Sequence, residues 1–123
     1  MSSQSVVSII DDDESLRESL PDLLEMFGLA TETFCSAEEF LASDGISRTQ
    51  CLILDISMAG MSGPELQQEL IRRKIKIPII FITGHLDEAL QSRLIERGAI
   101  ACLIKPFSDA AMHEALNSAL QIK

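Results

Sequence analysis

The stretch Val6-Val7-Ser8-Ile9-Ile10-Asp11-Asp12-Asp13-Glu14 decides how the rest of the chain is read. A β-branched run ends abruptly in four carboxylates, and apolar residues at helical spacing follow at once. A short apolar run bounded by polar residues marks a strand covered on both faces. Nothing in strand energetics asks for acids at its mouth. At an effective dielectric of about 20, two carboxylates ~5 Å apart repel by roughly 3 kcal/mol. A chain that keeps four there has a cation to set against them.

Outward from that stretch, strand and helix patterns alternate. Leu16, Leu20, Leu23, Leu24 and Phe27 form a helical stripe that Gly28 stops. Pro21 lies inside it and either bends the helix or marks its true start; the stripe continues in phase, which favours a bend. Ala30–Phe34 reads as a second strand, and Ser36-Ala37-Glu38-Glu39 as a capping box opening a short helix with Phe40 and Leu41 inward. After a polar loop at 44–50, Cys51-Leu52-Ile53-Leu54 is a third buried strand ending at Asp55. Ser62-Gly63-Pro64-Glu65 opens the next helix with a second capping box, and Leu66, Leu70 and Ile71 are its apolar stripe. Residues 77–83 form the fourth strand, with Pro78 tolerated at its beginning. Residues 87–97 are helical with Leu90, Leu94 and Ile95 inward and Gly98 as the stop. Residues 100–104 form the fifth strand, Lys105-Pro106 follows, and Ser108 caps a last helix carrying Met112, Leu116 and Leu120.

Five strand–helix units with short connections predict an open parallel sheet with helices on both faces and right-handed crossovers. Ligands of such folds bind beyond the carboxyl ends of the strands, at the topological switch point. Those ends carry Asp11, Asp12 and Asp13, then Asp55, Thr83 and Lys105. With strand order 2-1-3-4-5 these residues converge in one shallow crevice. Hard oxygen ligands of this kind suit Mg²⁺ or Mn²⁺. A carboxylate can attack phosphorus to give an aspartyl phosphate, with a hydroxyl and an ammonium holding the transferring oxygens.

Composition sets bounds. The 123 residues, 46% hydrophobic and 24% charged, suit one domain spanning 1–123. A net charge of −9 argues against contact of this segment with nucleic acid or an anionic membrane, although a separate DNA-binding output domain is compatible with it. No signal peptide or long apolar run is visible, which points to the cytoplasm. Cys35, Cys51 and Cys102 form no C-x-x-C pair and read as small buried hydrophobes.

Taken in order, Ile10-Asp11-Asp12-Asp13-Glu14, Leu54-Asp55-Ile56-Ser57-Met58, Gly63, Ile82-Thr83-Gly84-His85, Gly98-Ala99 and Lys105-Pro106-Phe107 resemble a two-component response-regulator receiver domain over essentially the full length, most similar to the FixJ type. The resemblance implies a flavodoxin-like (CheY-like) doubly wound α/β sheet and a non-enzymatic phospho-acceptor that assists its own phosphorylation and dephosphorylation. Asp55 would accept the phosphoryl group from a histidine kinase. Asp12 and Asp55 would bind Mg²⁺ (or Mn²⁺) directly, Asp11 largely through metal-bound water, and Ser57 through its backbone carbonyl. Thr83 and Lys105 would hold the phosphoryl group, Ser57 and His85 would tune its lifetime, and Lys105–Pro106 would be cis. Asp13 has no such role and is read as the cap of the first helix, while His113 is read as solvated. The implied output is a homodimer through the fourth helix, fifth strand and fifth helix, or an effector, with transcription as the controlled process.

Two departures stand out. The family's proline after the Met of the Asp55 loop is replaced by Ala59, which predicts a more mobile or differently turned loop. The family's switch aromatic is replaced by Cys102, so a rotating-ring gate at that position cannot operate. Three other readings compete: an unphosphorylated receiver-like interaction module, an aspartyl-phosphate phosphohydrolase and a flavodoxin-like cofactor binder. The phosphohydrolase wants a second acid two residues after the nucleophile, where Ser57 stands. The cofactor binder wants a phosphate loop where this chain has four acids.

Overall fold

A computed structural model describes residues 5–121. It contains β1 (Val6–Ile10), α1 (Glu14–Met26), β2 (Ala30–Phe34), α2 (Ala37–Ala42), a 3₁₀ turn (Gly45–Ser47), β3 (Cys51–Asp55), α3 (Gly63–Arg72), β4 (Ile79–Thr83), α4 (Glu88–Glu96), β5 (Ala101–Ile104) and α5 (Asp109–Leu120). The five strands form one parallel sheet in the order β2-β1-β3-β4-β5.

Strand alternation divides the apolar residues between two cores. Val7, Ile9, Cys51, Ile53, Ile80 and Ile82 face α1 and α5, where Leu20, Leu24, Met112 and Leu116 meet them. Ile10, Leu52, Leu54 and Phe81 face the other way, against Phe40 of α2, Leu66 and Leu70 of α3, and Leu94 of α4. The near-continuous apolar reading of β1, β3 and β4 follows from this double cover. Within β1, Ser8 is the buried polar exception; its hydroxyl pairs with that of Thr49, which also bonds the Gly45 carbonyl at 2.7 Å.

The structure decides one local alternative and redraws several expectations. The helix starts at Glu14 and runs through Pro21, so the proline does not mark its beginning. β4 begins at Ile79, leaving Pro78 outside the strand, where its carbonyl accepts from Leu52 N at 2.9 Å. β5 begins one residue later than expected, at Ala101. The 44–50 loop contains the 3₁₀ turn and buries Thr49.

At α2 the capping box is only half made. Ser36 Oγ accepts from Glu39 N at 3.0 Å, but Glu39 Oε1 reaches one residue further back, to Cys35 N at 3.1 Å. The box at Ser62 and Glu65 is complete.

Ile71 and Ile95 are exposed rather than inward. Each follows a buried leucine by one residue, about 100° around the helix, so Leu66/Leu70 and Leu90/Leu94 already fill the side facing the sheet. Of the cysteines only Cys51 is buried, its thiol pushed up to about 12 by desolvation. Cys102 is half-buried on an edge strand, and Cys35 is exposed because it lies beyond the end of β2. His113 is exposed, but its ring lies 4.4 Å from that of Phe27.

Candidate functional site

The carboxyl ends of β1 and β3 are adjacent in the sheet, since Ile10 pairs with Leu54. Asp11 and Asp55 therefore emerge side by side, and Asp12 sits above them. One carboxylate oxygen from each of Asp11, Asp12 and Asp55 lies within 4.8 Å of the others. Asp11 is fully buried and Asp55 nearly so, whereas Asp12 is exposed.

Asp11 is held rigidly for this purpose. Its Oδ1 accepts from Asp13 N at 2.8 Å, and its carbonyl accepts from Arg17 Nη1 at 2.7 Å. Asp13 turns instead to the helix, its Oδ1 accepting from Ser15 N at 2.9 Å as the N-cap, with Glu14 as the first helical residue. An acid there also complements the helix N-terminus. The four acids of the opening stretch thus split into a site pair and a helix-start pair.

Lys105 supplies the opposing charge from the end of β5. Its Nζ is 3.2 Å from Asp11 Oδ2 and 3.9 Å from Asp55 Oδ2. One ammonium between two buried carboxylates leaves the site short of positive charge. Asp55 registers the deficit: burial first, then the charge of Asp11, push its carboxyl up to about 6, and Lys105 offsets this only in part. An all-oxygen donor set with unbalanced negative charge fits a hard divalent cation that keeps part of its water shell. These three carboxylates could hold one.

Thr83 is buried at the end of β4. Its hydroxyl is engaged with its own loop, accepting from His85 N at 3.1 Å and donating to the His85 carbonyl at 3.3 Å. Ser57 is exposed, and its N–H donates to Asp55 Oδ1 at 3.4 Å. His85 is exposed in the β4–α4 loop, two residues past Thr83. The Lys105–Pro106 peptide is cis. Cys102, a half-buried thiol, is the register partner of Phe81 and packs with the core under α3 and α4.

The sequence reading missed how the Asp55 loop is held. Glu38, at the start of α2, reaches across so that its Oε2 accepts from Met61 N at 2.9 Å. Gly60 beside it has φ +76°, and a Cβ there would stand 2.6 Å from the same oxygen. From the other side, Ala59 N donates to Asp12 Oδ2 at 3.4 Å. The loop that lacks the family's proline is thus tied down by side-chain acceptors. Nothing in the local sequence signals the tie, because its partners are 23 residues apart. Glu38→Ala is expected to raise amide exchange at Met61 by roughly tenfold, the effect of losing one charge-assisted bond in a locally opening segment. Unchanged exchange at that amide would show that the loop holds its shape by itself.

Residues 7–117 match the response regulator receiver domain family. Nodulation protein W of Bradyrhizobium diazoefficiens is 42% identical over 120 residues, 98% of this chain and 53% of that protein. The transcriptional regulatory protein FixJ of Azorhizobium caulinodans is 41% identical over 114 residues, 93% of this chain and 54% of that protein. The crystal structure of FixJ-N superposes with a TM-score of 0.87 at 38% identity, covering 99% of this chain and 98% of that one. The chain spans about half the length of the curated relatives it matches. It belongs to the receiver-domain family of two-component response regulators.

Proposed function

We propose that this receiver is switched by phosphorylation of Asp55, with a histidine kinase as donor. The observation that carries the reading is the convergence of Asp11, Asp12 and Asp55 within 4.8 Å, with Lys105 Nζ reaching two of them. The Asp55 carboxylate forms its bond to phosphorus as the bond between phosphorus and the donor's imidazole nitrogen breaks, and the imidazole leaves. Asp11, Asp12, Asp55 and the Ser57 carbonyl would hold Mg²⁺ (or Mn²⁺), which supplies charge neutralisation for the phosphoryl oxygens. Lys105 contributes an ion pair to the same oxygens. Thr83 exchanges its bonds within the β4–α4 loop for one to the phosphoryl group, which draws that loop inward. Ser57 and His85, both exposed, set how readily water reaches the phosphorus.

The new charge biases a two-state equilibrium of the face made by α4, β5 and α5. Ile95 and Ile104 are exposed on that face, which supports a homodimer there as the output. The transcriptional regulators among the relatives support a cytoplasmic protein acting on transcription through a separate DNA-binding domain. No helix among the described residues is long and apolar enough to cross a membrane.

The test is sedimentation with and without beryllium fluoride and Mg²⁺: a shift to dimer supports the reading, and an unchanged monomer that fails to take up the mimic sinks it. Lys105→Gln is expected to slow phosphoryl uptake from a small donor by about a hundredfold. The same change should tighten Mg²⁺ binding measured calorimetrically, because it removes a competing cation. Weaker Mg²⁺ binding would contradict the charge balance described above.

A further inference from the structure

The chain is acidic overall, yet six of its ten lysines and arginines lie at one place: Arg72, Arg73, Lys74, Lys76, Arg93 and Arg97. These sit at the carboxyl-terminal ends of α3 and α4 and in the connection to β4, at the end of the sheet opposite the acids. Glu69 neutralises two of them, bonding Arg72 and Arg73 at 2.5 and 2.6 Å. Lys74, Lys76, Arg93 and Arg97 have no side-chain ion pair among the described residues. Cations at helix ends are favoured by the helix dipole, which accounts for Arg93 and Arg97. It does not account for Lys76, which lies beyond the helix.

Two of these cations, Lys76 and Arg97, line a groove of about 370 Å³ whose walls include Leu70, Ile71, Ile75, Ile77 and Ile100. Ile71 is 52% exposed and Ile100 38%. A second depression, lined by Met61, Glu65 and Gln68, adjoins it and shares Ile71 and Arg97, so the concavity extends along α3. Gln67 also lines the groove; it is 98% buried, its Nε2 donates to the Leu94 carbonyl at 3.1 Å, and its Oε1 has no partner. A buried acceptor left unmatched costs free energy until a donor reaches it.

We propose that this groove between α3 and the turn from α4 to β5 docks an acidic amphipathic helix of a protein partner. Its apolar face would cover Ile71, Ile75 and Ile100, and its carboxylates would meet Lys76 and Arg97. Apolar walls with a cationic rim recognise such a helix by its i, i+3, i+4 anchors and its charge. Together the two depressions run along α3 from Glu65 to Arg72, about 10 Å, matching about two turns of a docked helix. The inference stands apart from the phosphorylation reading, and its test uses no phosphodonor.

The probe is a labelled helical peptide of about 14 residues, with leucines at i, i+3 and i+4 spacing, one glutamine among them and glutamates elsewhere. It should bind the full chain, shift the backbone amides of Gln67, Ile71, Ile75 and Ile100 in two-dimensional NMR spectra, and weaken as salt is added. Lys76→Glu and Arg97→Glu are exposed substitutions expected to leave the fold intact and to cost about tenfold in affinity each. A peptide of the same composition with the pattern shuffled should bind much more weakly. Equal binding of the shuffled peptide, or shifts confined to another surface, would overturn the proposal. So would competition by vesicles of anionic phospholipid, which would make the patch a membrane contact, or burial of Ile71 and Ile100 in a dimer of this chain.

Discussion

Asp55→Asn is expected to abolish phosphoryl uptake and, in metal-free solution, to make the protein more stable. The first effect follows from replacing the proposed nucleophilic carboxylate at the end of β3 by a non-nucleophilic amide. The second follows from electrostatics. In the folded chain the Asp55 carboxyl titrates at about 6, raised from its ordinary value of 3.8 first by burial and then by Asp11. Between those two values the folded state holds a proton that the unfolded chain has released, so stability declines as pH rises through that window. Above it the native protein bears the full cost of an ionised Asp55 beside Asp11. The neutral, nearly isosteric amide removes most of that cost, about 1–3 kcal/mol at neutral pH. Two measurements check this: labelling from a small phosphodonor with Mg²⁺, and urea unfolding in chelator at pH 5 and pH 7.5. Labelling of the variant at the wild-type rate would remove Asp55 from the mechanism. A variant less stable than wild type at pH 7.5 would contradict the charge argument.

Gly63→Ala is expected to be the most damaging single-methyl change near the site. Gly63 starts α3 immediately beneath Asp55. Its N–H donates to the Ile56 carbonyl at 3.0 Å, and an added Cβ would stand 2.4 Å from the Asp55 carbonyl oxygen. The Phe81 ring and the Ile56 Cα would each be 3.1 Å away. Two of these neighbours are backbone atoms of the β3 end, so no side-chain rotation relieves the clash. Either α3 retreats or the Asp55 loop shifts. Such overpacking costs about 2–4 kcal/mol, which lowers the melting midpoint of a domain this size by roughly 10 °C. Gly84→Ala serves as the control, since a Cβ there meets nothing within 4 Å. Equal melting midpoints for the two variants would mean that the start of α3 backs away without strain.

Much of this was written plainly in the chain. β1, β3 and β4 are runs of apolar residues because both faces of the sheet are covered. Their last residues identify themselves because an acid or a threonine at the end of such a run has no packing purpose. Asp13, Ser36, Ser62 and Ser108 announce helix starts through their side-chain oxygens, and each accepts a backbone N–H there. Periodicity locates the centre of a buried stripe but not its width, so it puts Ile71 and Ile95 in the interior although both lie outside it. Apolar neighbours in sequence likewise say nothing about whether a strand is central or at the edge, which separates Cys51 from Cys102. At the site, the convergence of the three acids and Lys105 was legible once the strand order was set. The closer approach of Lys105 to Asp11 than to Asp55, and the tie between Glu38 and Met61, were not. Both depend on side-chain reach between segments far apart in the chain, which no local pattern encodes.

The bond from Gln67 to the Leu94 carbonyl has a mechanical meaning. α3 leaves the Asp55 loop and α4 leaves the Thr83 loop, and each runs as a stiff rod of about 15 Å towards the far end of the sheet. Gln67 couples the two rods part-way along, so a tilt imposed on either at the acidic end reaches the basic end as a change in their separation. Thermodynamic reciprocity then applies: a guest that prefers one spacing of the rods at the basic end must favour, by the same factor, whichever state of Asp55 produces that spacing.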